Sequence, residues 1–210
     1  MVEQLIENKV SEFSDIKSYL RDINLEILTN YPDVKIDISK RYNNRFRIFY
    51  PSRQLIKNIT KNGGVLVGSR AIRCYNIKGK PILERRVKDW DFIVTLEQAF
   101  KICDEMNINQ IPSIDSTISI KNQRRWVHSA YSDSYRIGPV DVQIIVKDEL
   151  PDYEEIDGVR IGTFGYSISQ KIALTNELKL SNEKEEYNKH ISDLKEIIIK
   201  FNSINLWDKS

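Results

Sequence analysis

Cysteine, histidine, glycine and proline are all scarce in this chain, and each scarcity excludes a class of protein. Of 210 residues only two are cysteines, Cys74 and Cys103, and neither belongs to a CxxC pair. The two histidines, His128 and His190, are far apart. A structural zinc site needs four nitrogen or sulfur ligands at close spacing, so none is expected. Two isolated cysteines fit reduced thiols rather than a disulfide framework. Eight glycines and six prolines exclude collagen-like and linker-dominated chains. Apolar runs are short: Val65-Leu66-Val67 and Ile197-Ile198-Ile199 are typical, and a bilayer span needs about 20 residues. The first residues, Met1-Val2-Glu3-Gln4, lack the basic start and apolar core of a signal peptide, so a soluble cytoplasmic protein with no membrane partner is expected.

What is present is a well-mixed globular composition, 40% hydrophobic and 30% charged, in a chain long enough to bury about 70% of its unfolded surface. The net charge is only +2, but it is unevenly placed. Residues 35–88 hold fifteen Lys or Arg against two acids, Asp37 and Glu84, a local charge of +13. Such an excess concentrates anions, nucleotides or nucleic acid among them, although a solvated surface with no partner gives the same count.

Periodicity suggests an α+β protein with flanking helices and a C-terminal helical pair. Residues 2–29 carry apolar side chains at three- and four-residue steps and read as helical, ending at Tyr31-Pro32. Residues 34–38 and 45–50 alternate as strands around an Asn43-Asn44 turn. A short helix follows over 52–60 with Ser52 as its N-cap, then a buried strand at 65–67. Residues 71–87 are ambiguous, helical at first and loop-like around Gly79 and Pro81. Further strands are expected at 89–95, 115–121, 124–131 and 140–146. Residues 96–106 form a helix with Phe100 and Cys103 on its apolar side, 151–165 a loop, and 166–180 and 183–201 the closing helices. In the last, Tyr187, Ile191, Leu194, Ile198 and Phe201 make one stripe. Three segments result: 1–60, an N-terminal helix and hairpin; 61–150, a small mixed sheet; and 151–210, a helical end.

The most informative residues are Asp89-Trp90-Asp91-Phe92-Ile93-Val94. Alternate strand residues share a face, so Asp89 and Asp91 project together, about 6–7 Å apart, while Trp90, Phe92 and Val94 anchor the other face. Two carboxylates on a half-buried strand repel one another, and a divalent cation relieves the repulsion. Asp141 interrupts a second apolar strand, Val140 to Val146. If that strand lies beside the first, three carboxylates meet and suit a two-metal phosphoryl or nucleotidyl transfer. Two unrelated edge-strand acids are the plain alternative. Gly63-Gly64-Val65-Leu66-Val67-Gly68-Ser69-Arg70 has roughly a P-loop's spacing, but its spacer forms a strand and the closing Lys-Ser/Thr is missing. It reads better as a strand ending in a Gly-Ser corner before a helix, where backbone amides, the Ser69 hydroxyl and Arg70 and Arg73 can meet a phosphate. Arg85-Arg86-x-Lys88 and Arg124-Arg125-Trp126 are softer candidates for holding a triphosphate or an acceptor strand. His128 and Ser129 form no triad, since no acid is positioned for one.

Gly68-Ser69, Asp89-x-Asp91 and a strand-embedded Asp141 together resemble the nucleotidyltransferase superfamily that includes DNA polymerase β, over roughly residues 56–146. The resemblance implies a small mixed-sheet nucleotidyltransferase core. Gly68 and Ser69 would hold the nucleotide phosphates, helped by Arg70. Asp89, Asp91 and Asp141 would be catalytic and bind Mg²⁺ or Mn²⁺, and an NTP such as ATP would be the substrate. The chain departs from the family in the long stretch between Ser69 and Asp89, where Arg73-Cys74 stands in place of a second glycine. Ser169-Gln170-Lys171-Ile172-Ala173 with Lys189-His190-Ile191-Ser192-Asp193-Leu194 is similar to abortive-infection (AbiEii-like) toxin nucleotidyltransferases and to phage-encoded nucleotidyltransferase-like proteins. That likeness implies that Lys171 contacts a nucleotide phosphate and Asp193 supports the site. From spacing alone, Lys189 and Asp193 share a helical face and can simply pair, and His190 is a surface or supporting residue.

The function expected is therefore transfer of an NMP from an NTP to a hydroxyl of RNA (a tRNA, for instance), protein or a small molecule. The alternatives are a catalytically silent binding module or phage-type inhibitor of the same fold, and an assembly protein that binds neither metal nor nucleotide.

Overall fold

Asp-Gly and Lys-Gly pairs make two of the tightest turns in the chain, and each closes a β-hairpin. The computed structural model describes residues 34–41, 50–121, 141–181 and 183–205. The expected elements at 2–29, 45–49 and 124–131, with Arg124-Arg125-Trp126, His128 and Ser129, lie outside those residues. The content is α+β, with five helices and two sheets among the described residues. None of those helices is long and apolar enough to cross a membrane.

The chain divides into two compact units, each built from separated stretches. One comprises Met1–Asp37, Ile72–Glu84 and Phe164–Ser210; the other comprises Ile38–Ala71 and Arg85–Thr163. The expected segment 61–150 therefore contributes to both.

The second unit is built on a six-stranded sheet. Its helix α1 (Tyr50–Lys61) begins two residues earlier than Ser52 would have it and carries Pro51 in its first turn, where no amide is needed. It packs Leu55, Ile56 and Ile59 inward. Strand β2 (Val65–Val67) follows, fully buried, and runs straight into helix α2 (Gly68–Cys74). Strand β5 (Trp90–Thr95) buries Trp90, Phe92 and Val94, as its alternation predicts. Thr95 then caps helix α3 (Leu96–Met106) through a capping box with Gln98, and Asn107 ends it in a left-handed conformation. The buried residues of α3 are Ala99, Ile102 and Cys103, whereas Phe100 is 49% exposed. One step of 100° turns it off the face it was expected to join.

Strands β6 (Thr117–Ile120) and β7 (Val142–Lys147) complete one side of this sheet. The other side corrects the sequence reading. Residues expected to be a loop form a hairpin, β8 (Tyr153–Ile156) and β9 (Val159–Gly162). Asp157 and Gly158 turn it with φ of 52° and 71°, the pair of positive angles that a two-residue turn matched to strand twist requires. The strand order is β6-β7-β5-β2-β9-β8, with β5 parallel to β7, β2 antiparallel to β5, and β9 parallel to β2.

The other unit holds a three-stranded sheet, β1 (Val34–Ile36), β3 (Tyr75–Ile77) and β4 (Lys80–Pro81), in the order β1-β3-β4. The ambiguous stretch thus resolves into the end of α2 and a hairpin turned by Lys78 and Gly79. Its helices are α4 (Phe164–Ser181) and α5 (Lys184–Asn205), both longer than expected. Tyr75 meets Phe164 edge-on at 5.4 Å, and Phe164 meets Phe201 at 5.3 Å, seating both helices on this small sheet. The buried stripe of α5 is His190, Asp193, Leu194, Ile197, Ile198 and Phe201; Tyr187 and Ile191 sit at its margin. Cys74 and Cys103 are both buried thiols, in no disulfide among the described residues.

Candidate functional site

Asp91 lies in β5 opposite Val67 of β2 and Gln143 of β7. Residues in register across a sheet share a face, so Asp91 and Gln143 project to the same side. The parallel register pairs Trp90 with Val142, and the Trp90 amide donates to the Asp141 carbonyl at 2.8 Å. One residue further back, Asp89 and Asp141 immediately precede the paired strands. The backbone therefore brings all three acids to one end of the sheet. All three are half-buried. Ser119 of β6 pairs with Gln143, so a polar row Asp91–Gln143–Ser119 crosses the sheet. Gln143 and Ser119 escaped the sequence reading because only the pairing of three strands reveals the row.

Because β2 runs antiparallel to β5, its C-terminal end delivers Gly68 to this same place. Gly68 has φ of +69°, and a Cβ there would sit 2.6 Å from Asp91 Oδ2. Only glycine allows the corner to turn with a carboxylate packed against it. Ser69 follows, half-buried, and its Oγ accepts from Arg85 Nη2 at 3.1 Å. Arg85, weighed from sequence only as part of a basic run, is thus the cation that the structure places at the Gly-Ser corner.

Arg70 occupies a different position from the one expected of a phosphate ligand. It is 3% exposed, and its guanidinium faces main-chain carbonyls. Nε donates to Asp89 at 2.8 Å, Nη2 to Val87 at 2.8 Å and Lys88 at 3.1 Å, and Nη1 to Arg41. Its plane lies 4.2 Å from the Trp90 ring centroid. The side chain therefore clamps the backbone that enters the Asp89-x-Asp91 strand. Arg73 likewise donates to the carbonyls of Leu83 at 3.0 Å and Glu84 at 2.8 Å.

Carboxylates are the hard oxygen donors that suit Mg²⁺ or Mn²⁺, and Asp91 is packed against the Gly68 corner. The side chains of the three acids are not drawn together, however: among the described residues no group of three His, Cys, Asp or Glu is gathered closely enough to hold a metal ion.

Lys171 and Asp193 belong to the other unit, where they close on each other. Lys171 Nζ lies 2.6 Å from Asp193 Oδ2, with the two side chains 4% and 1% exposed. Asp193 thus pairs with Lys171 of α4 and not with Lys189, which pairs with Glu186 at 2.8 Å. Lys171 Nζ also lies 3.4 Å from His190 Nδ1. His190 is buried, and burial, with the Lys171 charge beside it, lowers its pKa to about 4.

That shift has a consequence for stability. The unfolded imidazole protonates near pH 6.5 and the folded one only near 4, so between those values the unfolded chain binds more protons. The stabilisation is complete above about pH 6.5 and is lost as pH falls toward 4. Allowing for solvent at the ring edge, the loss is about 1–2 kcal/mol. Urea midpoints at pH 7.5 and 4.5 measure it, and His190→Gln is expected to flatten that part of the pH dependence.

No protein family, no curated protein and no solved structure matches this chain.

Proposed function

We propose that the protein is a metal-dependent nucleotidyltransferase that moves an NMP from an NTP to an acceptor hydroxyl. The observation that carries the reading is that Asp89, Asp91 and Asp141 lie at the same end of the neighbouring strands β5 and β7, with Asp91 against the positive-φ corner at Gly68. Asp89, Asp91 and Asp141 would hold Mg²⁺ or Mn²⁺, which when bound neutralises triphosphate charge and favours ionisation of the attacking hydroxyl. The amides at Gly68 and Ser69 would receive phosphate oxygens, and Arg85 would add its charge beside them. Arg70 would keep the two aspartates of β5 at a set height by holding the three carbonyls that precede Trp90. Asp141, at the same end of the sheet, would accept the acceptor hydroxyl's proton as the oxygen attacks the α-phosphorus and pyrophosphate leaves. Lys171 and Asp193 are left out of the proposed site because each neutralises the other in a buried pair.

A second reading, a silent binding module or inhibitor of the same architecture, draws on the separation of the acidic side chains described above. Incubation with each α-labelled NTP, Mg²⁺ or Mn²⁺, and total RNA, protein or small-molecule acceptors tests both. Transfer of label with release of pyrophosphate is expected. Metal-dependent NTP binding without transfer to any acceptor favours the second reading, and absence of both defeats the two together.

A further inference from the structure

One helix of the six-stranded unit carries a line of cations. Residues 38–71 contain eight Lys or Arg and no Asp or Glu. Three of these cations, Arg53, Lys57 and Lys61, follow at four-residue steps along α1, and all three are exposed. Four residues advance about 6 Å and rotate only about 40° past a full turn, so the three form a nearly straight line about 12 Å long. None of them makes an ion pair with another described residue. The nearest acid on the neighbouring helix, Glu105, instead takes hydrogen bonds from Asn58 at 2.5 Å and Asn62 at 3.2 Å. Those bonds hold its carboxyl below the usual range, and the charges of Lys61 and Lys101 add to the effect.

We infer that the Arg53–Lys57–Lys61 line is a docking surface for the phosphate backbone of a nucleic acid. A 12 Å line of cations spans three or four phosphates at about 3.4 Å each. Three flexible, unpaired cations with no aromatic among them suit sequence-independent backbone contact. A membrane surface fits less well. An interfacial helix must sink its apolar face into lipid, and here Leu55, Ile56 and Ile59 are buried in the protein.

The inference does not depend on nucleotidyl transfer, because binding is read without NTP and in EDTA. Transfer can fail while binding holds, and the reverse. The probe is a labelled single-stranded RNA 20-mer of mixed sequence, titrated with the full chain between 50 and 200 mM KCl and followed by fluorescence anisotropy. Wild type is expected to bind with a salt slope to which these three cations contribute about 2. Arg53→Ala/Lys57→Ala/Lys61→Ala is expected to bind at least tenfold more weakly with a correspondingly shallower slope and an unchanged circular dichroism spectrum. If the triple variant misfolds, the three single variants must each lose part of the affinity. The inference is overturned if the variant binds within twofold of wild type, or if removing the exposed Lys80, Lys179 and Lys184 weakens binding equally. It is also overturned if wild type ignores RNA, whether or not it binds anionic phosphatidylserine vesicles.

Discussion

Asp91→Asn is expected to abolish label transfer from NTP, by on the order of 10³-fold, while leaving the fold intact. The substitution keeps the shape that packs against Gly68 and removes the charge. Of the three acids, Asp91 is the one packed against the Gly68 corner, and in the proposed site it would be a ligand of the metal. Loss of a charged metal ligand removes several kcal/mol of transition-state stabilisation. Initial rates with saturating NTP and Mg²⁺, beside thermal melts of both proteins, measure the effect. A variant that keeps a tenth of the wild-type rate with an unchanged melt would remove Asp91 from the site.

The largest stability effect is expected at a different place. Asp193→Ala removes the carboxylate 2.6 Å from the buried Lys171 ammonium and leaves the neutral His190 ring beside it. Breaking a buried pair by deleting one partner costs about 3–5 kcal/mol, which lowers the melting temperature of a chain this size by about 10 °C. Lys171→Met with Asp193→Leu removes both charges and is expected to recover most of that loss. The double variant separates the roles, because a purely structural pair tolerates the exchange with no change in nucleotide binding. Equal melting temperatures for wild type and Asp193→Ala would mean that the pair is hydrated in solution.

Some of the architecture was legible in the residues. Strand β5 announced itself through Trp90, Phe92 and Val94, because a period of two across three apolar positions has no helical equivalent. Helix α3 was placed at 96–106 to the residue, and the Thr95–Gln98 capping box in the structure accounts for its sharp start. The hairpin at Asp157-Gly158 was equally local, and the turn dipeptide was its signal, but its strands are only four residues each and carry two acids and an arginine between them. Their apolar alternation was too sparse to outweigh the polar content.

The amino-acid order by itself determined that Trp90, Phe92 and Val94 would be buried in a strand with Asp91 between them, that a glycine corner would close β2, and that a basic run would precede the acids. These follow from backbone geometry over a few residues. Tertiary structure alone decided that Asp141, fifty residues beyond Asp91, comes to the same end of the sheet as Asp89, since the register of β5 with β7 is set by burying Val142, Ile144 and Val146 along the whole sheet. It also decided that Arg70 turns inward to four carbonyls while Arg85 reaches Ser69, and that Asp193 meets Lys171 rather than Lys189. A cation's partner depends on which neighbouring chain removes it from water, and no spacing along one segment encodes that.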